Sequence, residues 1–162
     1  MQSNEERVIE ICKQNHKTIA SCESLTGGLF ASTLTSVPGA SEVFYGAIVS
    51  YATEVKKNVV HVPEKLIEKY GVISKQCART MALNTIKLLD TDYCVSFTGN
   101  AGPSAWEDKP AGRVYCAIVS REGNIYDFEF QIDHKERNEV REEVVSQMMN
   151  HLVHTLEEDF YG

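Results

Sequence analysis

The sequence lacks several features that mark specialised classes of protein. Only four of its 162 residues are proline and one is tryptophan, and there is no repeat, linker or low-complexity tract. No apolar run approaches the ~20 residues needed to cross a bilayer. The first residues also lack the basic and then apolar segments of a secretion signal. These absences predict a soluble, cytoplasmic protein with no membrane partner, folded as a single domain over residues 1–162.

Metal-binding and nucleic-acid-binding patterns are missing as well. The five cysteines contain no Cys-x-x-Cys pair, and the histidines do not follow a zinc-ligand spacing. An odd number of cysteines favours reduced thiols over a disulfide framework. A formal net charge of −7 argues against a broad surface for nucleic acid, but it leaves room for a local cationic pocket that binds a phosphate.

The patterns that are present predict strands alternating with helices. Ser3 and Glu6 have the spacing of a capping box at the start of a first helix, and a long amphipathic helix is expected from about Arg137 to Glu158. This alternation predicts an α/β fold, a three-layer α/β/α sandwich with a mixed, mostly parallel sheet of about five strands. The predicted strands lie at 18–21, in the second half of 41–51, and at 93–97, 112–119 and 125–132.

Two turns rich in hydroxyl groups and glycine follow predicted strands. The first, Ser24–Gly28, leads into a helix whose N-terminal N–H groups and dipole favour an anion. A purely structural alternative is a tight turn with Ser24 or Thr26 as the helix N-cap. The second turn is Thr98–Gly102. Because ligands bind beyond the carboxyl ends of strands in such sheets, both turns are candidates for a binding site.

A hydrolytic site is harder to assign from spacing alone. No Gly-x-Ser-x-Gly elbow is present, and no Ser/His/Asp triad can be selected. A serine paired with a partly desolvated lysine is the remaining option. Ser41 precedes a predicted strand and Lys56 follows it, so the two residues lie at opposite ends unless the chain bends back. Considered alone, Lys56 is an ordinary solvated lysine and Ser41 an ordinary N-cap.

The chain contains six segments in a fixed order: Glu23–Gly28, Pro38–Ser41 with Phe44, Val49–Tyr51 followed by Lys56, Gly71–Ser74, Thr98–Pro103 and Lys109–Tyr115. This ordered set resembles the CinA C-terminal domain family. The resemblance covers about residues 5–157. The stand-alone members of that family are nicotinamide-nucleotide amidohydrolases, also called NMN deamidases, which convert nicotinamide mononucleotide (NMN) and water into nicotinate mononucleotide and ammonia in pyridine-nucleotide recycling.

The resemblance implies a set of roles for individual residues. Ser41 is expected to attack the carboxamide carbon, with Lys56 as the base and Tyr51 assisting proton transfer. It implies no metal and no organic cofactor. The partners expected are the small nucleotide substrate and further copies of the chain in a homo-oligomer. The substrate-binding residues it implies are Ser24, Thr26, Gly27, Gly28, Thr98, Gly99 and Arg137.

The chain departs from the family pattern in its substrate-facing loops. Asn100 stands where the family usually has an aliphatic residue, and Ser104–Trp106 replaces an Asp-Gly-Gly segment. Of the residues before the last helix, only Arg137 can be aligned with a family arginine. These departures keep two alternatives open: a nucleotide-binding relative without catalysis, and an amidase acting on another small carboxamide.

Overall fold

A five-stranded sheet with the order β2-β1-β3-β4-β5 forms the centre of the protein, for which a computed structural model describes residues 1–162. The strands are β1 (Ile19–Glu23), β2 (Phe44–Val49), β3 (Tyr93–Gly99), β4 (Arg113–Ser120) and β5 (Ile125–Gln131). The helices are α1 (Asn4–Gln14), α2 (Leu29–Thr35), α3 (Thr53–Asn58), α4 (Glu64–Tyr70), α5 (Lys75–Leu89) and α6 (Arg137–Tyr161), with a short 3-10 helix at Ala40–Glu42.

The sheet is mixed, as the sequence predicts. β1 pairs in parallel with β2 and with β3, whereas β3–β4 and β4–β5 are antiparallel. The predicted hairpin of β4 and β5 is confirmed. In the three parallel strands Glu23 lies beside both Val49 and Phe97. The segments that leave these strands therefore start from one edge of the sheet, which we call the carboxyl edge.

Helices cover both faces of the sheet and produce the three predicted layers. Tyr93, Val95 and Phe97 alternate along β3 toward a core of 25 buried residues, to which α1, α2 and α6 contribute. Cys94 points to the opposite face, into a second core of 14 residues built largely on α5. Alternate side chains of β3 therefore enter the two cores on opposite faces of the sheet.

The ends of the helices agree closely with the sequence signals. The Ser3 side chain accepts the Glu6 N–H and the Glu6 carboxylate accepts the Ser3 N–H, which confirms the capping box. α6 runs to Tyr161, three residues beyond its expected end at Glu158. None of the six helices combines the length and the hydrophobicity required to span a bilayer.

Candidate active site

The turn after β1 brings Ser24 to the carboxyl edge and is held by a buried glutamate. Glu23 has no solvent exposure, and its two carboxylate oxygens accept the N–H groups of Phe30 and Ala31 at 3.0 Å each. The Ser21 hydroxyl donates to the same carboxylate at 2.8 Å. The N-terminus of α2, which the sequence suggested for an external anion, is therefore neutralised by Glu23. Ser24 and Thr26 do not cap this helix through their side chains.

A second contact from α6 fixes the turn. Gly27 and Gly28 adopt positive φ angles of 57° and 99°, which lets the chain reverse into α2. Arg141 donates from Nε to the Leu25 carbonyl and from Nη2 to the Thr26 carbonyl, both at 2.9 Å. Arg141 is not among the residues that the sequence predicts for the site. Its only sequence signal is the four-residue spacing from Arg137, which puts both arginines on one face of a helix.

Three backbone donors of this turn are free, and two of them lie directly after Ser24. The N–H groups of Leu25, Thr26 and Gly28 donate to no acceptor within the chain, while the Gly27 N–H donates to the Ser24 carbonyl at 3.0 Å. Unengaged N–H groups next to a nucleophile can stabilise an oxyanion. The Thr26 hydroxyl oxygen is buried and has no hydrogen-bond partner.

The amine of Lys56 contacts Ser24. The Ser50 N–H donates to the Glu23 carbonyl at 2.8 Å, which continues the pairing of β2 with β1. The chain then reverses into α3 and directs Lys56 back toward the carboxyl edge. Lys56 Nζ lies 2.8 Å from Ser24 Oγ, 2.7 Å from the Ser50 carbonyl oxygen and 3.1 Å from the Tyr51 carbonyl oxygen. Only 1% of Lys56 is exposed.

This environment makes the Lys56 amine easier to deprotonate than a solvated lysine. Burial lowers the pKa of Lys56 from its ordinary value of 10.5, and the neighbouring acidic groups Cys77, Cys22 and Glu107 oppose that shift in part. A neutral amine has two hydrogens and one lone pair. The ammonium form donates to Ser24 Oγ and to both carbonyls. After loss of one proton, the two remaining hydrogens match the two carbonyl acceptors and the lone pair can accept the Ser24 hydroxyl proton. The arrangement suits a general base.

Ser41 lies at the other end of β2, so the predicted pairing of Ser41 with Lys56 is absent from the folded chain. It sits exposed in the 3-10 helix before the strand, and the six residues of β2 separate this segment from the carboxyl edge by about 20 Å. The bend after β2 does bring Lys56 back, but it carries the amine to Ser24 because β1 ends beside β2. The hydroxyl group in contact with the lysine therefore belongs to Ser24.

A cavity of about 410 Å³ opens beside Ser24. Arg137 donates to the Gly102 carbonyl at 2.7 Å and to the Tyr51 phenol oxygen at 2.8 Å. Tyr51 thus touches Lys56 through its backbone carbonyl and Arg137 through its phenol. The lining residues are Ser24, Leu25, Tyr51, Gly99, Asn100, Ala101, Gly102, Pro103, Ser104, Ala105, Trp106 and Arg137.

Some predicted binding residues support the cavity without lining it. Thr26, Gly27 and Gly28 shape the first turn and are absent from the lining. Thr98 is 1% exposed, and its hydroxyl donates to the Val72 carbonyl at 2.7 Å. Of the residues that the resemblance implied for binding, Ser24, Gly99 and Arg137 reach the cavity.

Asn100, one of the departures from the family pattern, organises the loop that follows β3. Its side-chain oxygen accepts the Gly102 N–H at 3.0 Å, and its side-chain nitrogen donates to the Ser104 carbonyl at 2.6 Å. An aliphatic side chain cannot make these bonds. In this chain Asn100 therefore fixes the backbone of Gly102 and Ser104, which line the cavity.

Comparisons with known proteins identify the family of the chain. The family model of the CinA C-terminal domain matches residues 1–156. A CinA-like protein of Pseudothermotoga lettingae is 42% identical over 141 residues, which are 86% of this chain and 34% of that protein. The protein named MG115 homolog of Mycoplasma pneumoniae is 41% identical over 146 residues, 89% of this chain and 92% of the relative.

Solved structures show the same fold. A competence/damage inducible protein of Agrobacterium tumefaciens superposes with a TM-score of 0.90 at 29% identity, covering 95% of this chain and 93% of that one. A CinA superfamily protein of Klebsiella pneumoniae gives 0.91 at 25% identity, with 97% and 99% coverage. The chain spans only 34% and 28% of two of its curated relatives. On the match over residues 1–156 and on these relatives, the chain belongs to the CinA C-terminal domain family.

Proposed function

We propose that this protein hydrolyses the carboxamide of nicotinamide mononucleotide to nicotinate mononucleotide and ammonia, with Ser24 as the nucleophile and Lys56 as the base. The observation that carries the proposal is the 2.8 Å contact between the buried Lys56 amine and the Ser24 hydroxyl. The resemblance of the chain to nicotinamide-nucleotide amidohydrolases supplies the substrate. A cavity of about 410 Å³ falls within the usual range for small-ligand sites.

The first half-reaction forms an ester on Ser24. Neutral Lys56 takes the hydroxyl proton as Ser24 Oγ attacks the carboxamide carbon. The carbonyl oxygen gains a negative charge, and the N–H groups of Leu25 and Thr26 are the unengaged donors next to the nucleophile. The protonated lysine returns the proton to the departing nitrogen. The C–N bond then breaks, and ammonia and an acyl-Ser24 ester are formed.

The second half-reaction consumes water. Lys56, neutral again, takes a proton from a water molecule that attacks the ester carbon. The Ser24 oxygen leaves and recovers the proton from Lys56. The product is the free carboxylate and the enzyme is regenerated, so the overall reaction uses one water and releases one ammonia. Every proton transfer uses the same amine, which the carbonyls of Ser50 and Tyr51 hold in place.

Ammonia release from NMN by the purified protein tests the proposal, and two serine variants test the nucleophile. We expect Ser24→Ala to lose at least a hundredfold in kcat, as removal of a nucleophile and its proton transfer requires. Ser41→Ala should retain nearly full activity. The reverse order would restore Ser41 as the nucleophile, as the family resemblance implied.

Two further outcomes would change the proposed function. If calorimetry detects NMN binding but no ammonia is released, the protein is a nucleotide-binding member of the family without catalysis. If a panel of small carboxamides releases ammonia while NMN does not, the substrate is wrong and the Ser24–Lys56 chemistry stands. A Ser24→Ala control measured in parallel excludes a contaminating amidase in both cases.

A further inference from the structure

Trp106 forms part of the cavity wall and is half exposed. Its relative exposure is 50%, a large value for an indole that borders a cavity also lined by Ser24. A partly exposed aromatic face beside a nucleophile is available to a ligand. Trp106 also lies in the segment where this chain departs from its family pattern, so the family resemblance assigns it no role.

The loop that carries Trp106 is firmly braced. The backbones of Trp106 and Lys109 exchange two hydrogen bonds, at 3.0 and 2.8 Å. The carboxylate of Glu107 accepts the N–H groups of Val72 at 3.1 Å and Ile73 at 2.9 Å, which ties the loop tip to the segment before α5. Asn100 secures the other end of the loop through Ser104. The backbone under the indole is therefore held in place before a ligand enters.

The charges around the cavity add a second constraint. Of its twelve lining residues Arg137 alone carries a charge, and no carboxylate is among them. The substrate of the proposed function has an anionic phosphate and a positively charged pyridinium ring. Arg137 can pair with the phosphate, but the ring finds no anion in the lining. An aromatic face is the remaining group that attracts a cation.

We propose that Trp106 is the specificity-determining residue of this site, its indole packing against the planar cationic ring that bears the carboxamide. This inference rests on the proposed function. The stacked ring is positioned with its carboxamide toward Ser24, and an aliphatic carboxamide gains no such contact. Tyr51 is the other aromatic residue in the lining, and its phenol is already engaged by Arg137.

The single tryptophan of the chain reports directly on this contact. In Ser24→Ala protein, which holds the substrate without turnover, we expect NMN to quench the tryptophan fluorescence in a saturable manner, because a cationic ring stacked on indole accepts charge from its excited state. Ribose 5-phosphate has the same anionic group but no ring, and it should leave the emission unchanged. Excitation at the red edge of the indole band avoids absorption by the nucleotide.

Substitutions of Trp106 test the specificity in the active protein. We expect Trp106→Leu to raise KM for NMN by about tenfold or more, the usual effect of removing one stacking partner, with a smaller change in kcat. Trp106→Phe keeps an aromatic face, so its KM for NMN should lie between those of the wild type and Trp106→Leu. Tyr126→Leu is the matched control, because Tyr126 is 40% exposed on β5 and does not line the cavity.

The results separate this inference from the proposed function. Quenching without ammonia release from wild-type protein supports the stacking contact and refutes the catalytic proposal. Ammonia release with unchanged fluorescence at NMN concentrations that saturate by calorimetry overturns the stacking contact alone. An unchanged KM in Trp106→Leu also overturns it, and the Trp106→Phe variant guards against a loss caused by misfolding of the loop.

Discussion

The two faces of helix α3 place identical side chains in opposite environments. Lys56 points inward, where burial lowers its pKa. Lys57 points outward, where its hydrogen bond to Glu64, at 3.1 Å, raises its pKa, with Glu54 at 3.8 Å adding to the effect. One residue along a helix is a rotation of about 100°, and here it separates a candidate base from a surface cation. The chemistry of a lysine thus follows from the face it occupies.

The largest expected effect comes from removing the Lys56 amine, and removal of the Lys57 amine is its control. Lys56→Ala should reduce kcat for NMN hydrolysis at least a hundredfold, because it removes the group that accepts and returns every proton. Lys57→Ala should stay within about twofold of the wild-type value, since its ion pairs lie at the surface. Steady-state ammonia release measures both. Equal losses in the two variants would mean that α3 as a whole, rather than the inward amine, supports the activity.

The pH dependence of the rate sharpens the comparison. Activity requires neutral Lys56, so kcat/KM should rise about tenfold per pH unit below the pKa of Lys56 and then level off. Because burial lowers that pKa, the plateau should begin below pH 10.5. A profile recorded with wild-type and Lys57→Ala protein should give the same midpoint. A midpoint at or above 10.5 would contradict the assignment of Lys56 as a desolvated base.

Arg141 offers an intermediate effect, because it acts on the turn and not on the reacting atoms. Arg141→Ala removes the donors to the Leu25 and Thr26 carbonyls, and we expect about a tenfold loss of kcat with a smaller change in KM, since a loosened turn misplaces Ser24. Arg141→Lys should recover part of the loss, as it supplies one of the two contacts. If Arg141→Ala altered only the melting temperature, the residue would be structural and not positioning.

The smallest expected effect concerns stability. A lysine whose pKa is lowered in the folded state binds fewer protons there than in the unfolded chain. Stability therefore rises with pH between the folded pKa and the ordinary value of 10.5. The free energy of unfolding of the wild type, minus that of Lys56→Met, should increase across this window in denaturant titrations. The same difference for Lys57→Met should show no such rise, because the pKa of Lys57 is raised.

Local and periodic features of the fold could be predicted from the sequence. The Ser3 capping box, the hairpin of β4 and β5 and the long last helix depend on neighbouring residues, and each is confirmed. The location of the site at the carboxyl edge also followed, because consecutive parallel strands must end there. Residue spacing and the propensities of residues for helix or strand are enough to predict these features.

The pairing within the site could not be predicted in the same way. Ser24 and Lys56 are 32 positions apart, and their contact depends on the chain reversing into α3 directly after β2. The sequence of Ala52 to Val60 fits either a short helix or an irregular turn, so it leaves the direction of the Lys56 side chain undetermined. The family resemblance assigned the nucleophile to Ser41, which the intervening strand keeps apart from Lys56. Arg141 is half-buried against the Ser24 turn, but its four-residue spacing from Arg137 does not distinguish it from an ordinary surface arginine.

The buried carboxylate of Glu23 has a consequence for competition between ligands. It occupies the N-terminus of α2, and Glu136 and Glu139 form a capping box at the start of α6. The α2 end behind the Ser24 turn and the α6 end at the cavity are therefore already neutralised by the chain itself. Small free anions such as inorganic phosphate or sulfate meet no vacant helix end there, and only Arg137 and the free N–H groups after Ser24 remain to bind them. We therefore expect inorganic phosphate and sulfate to compete only weakly with a ligand that fills the cavity.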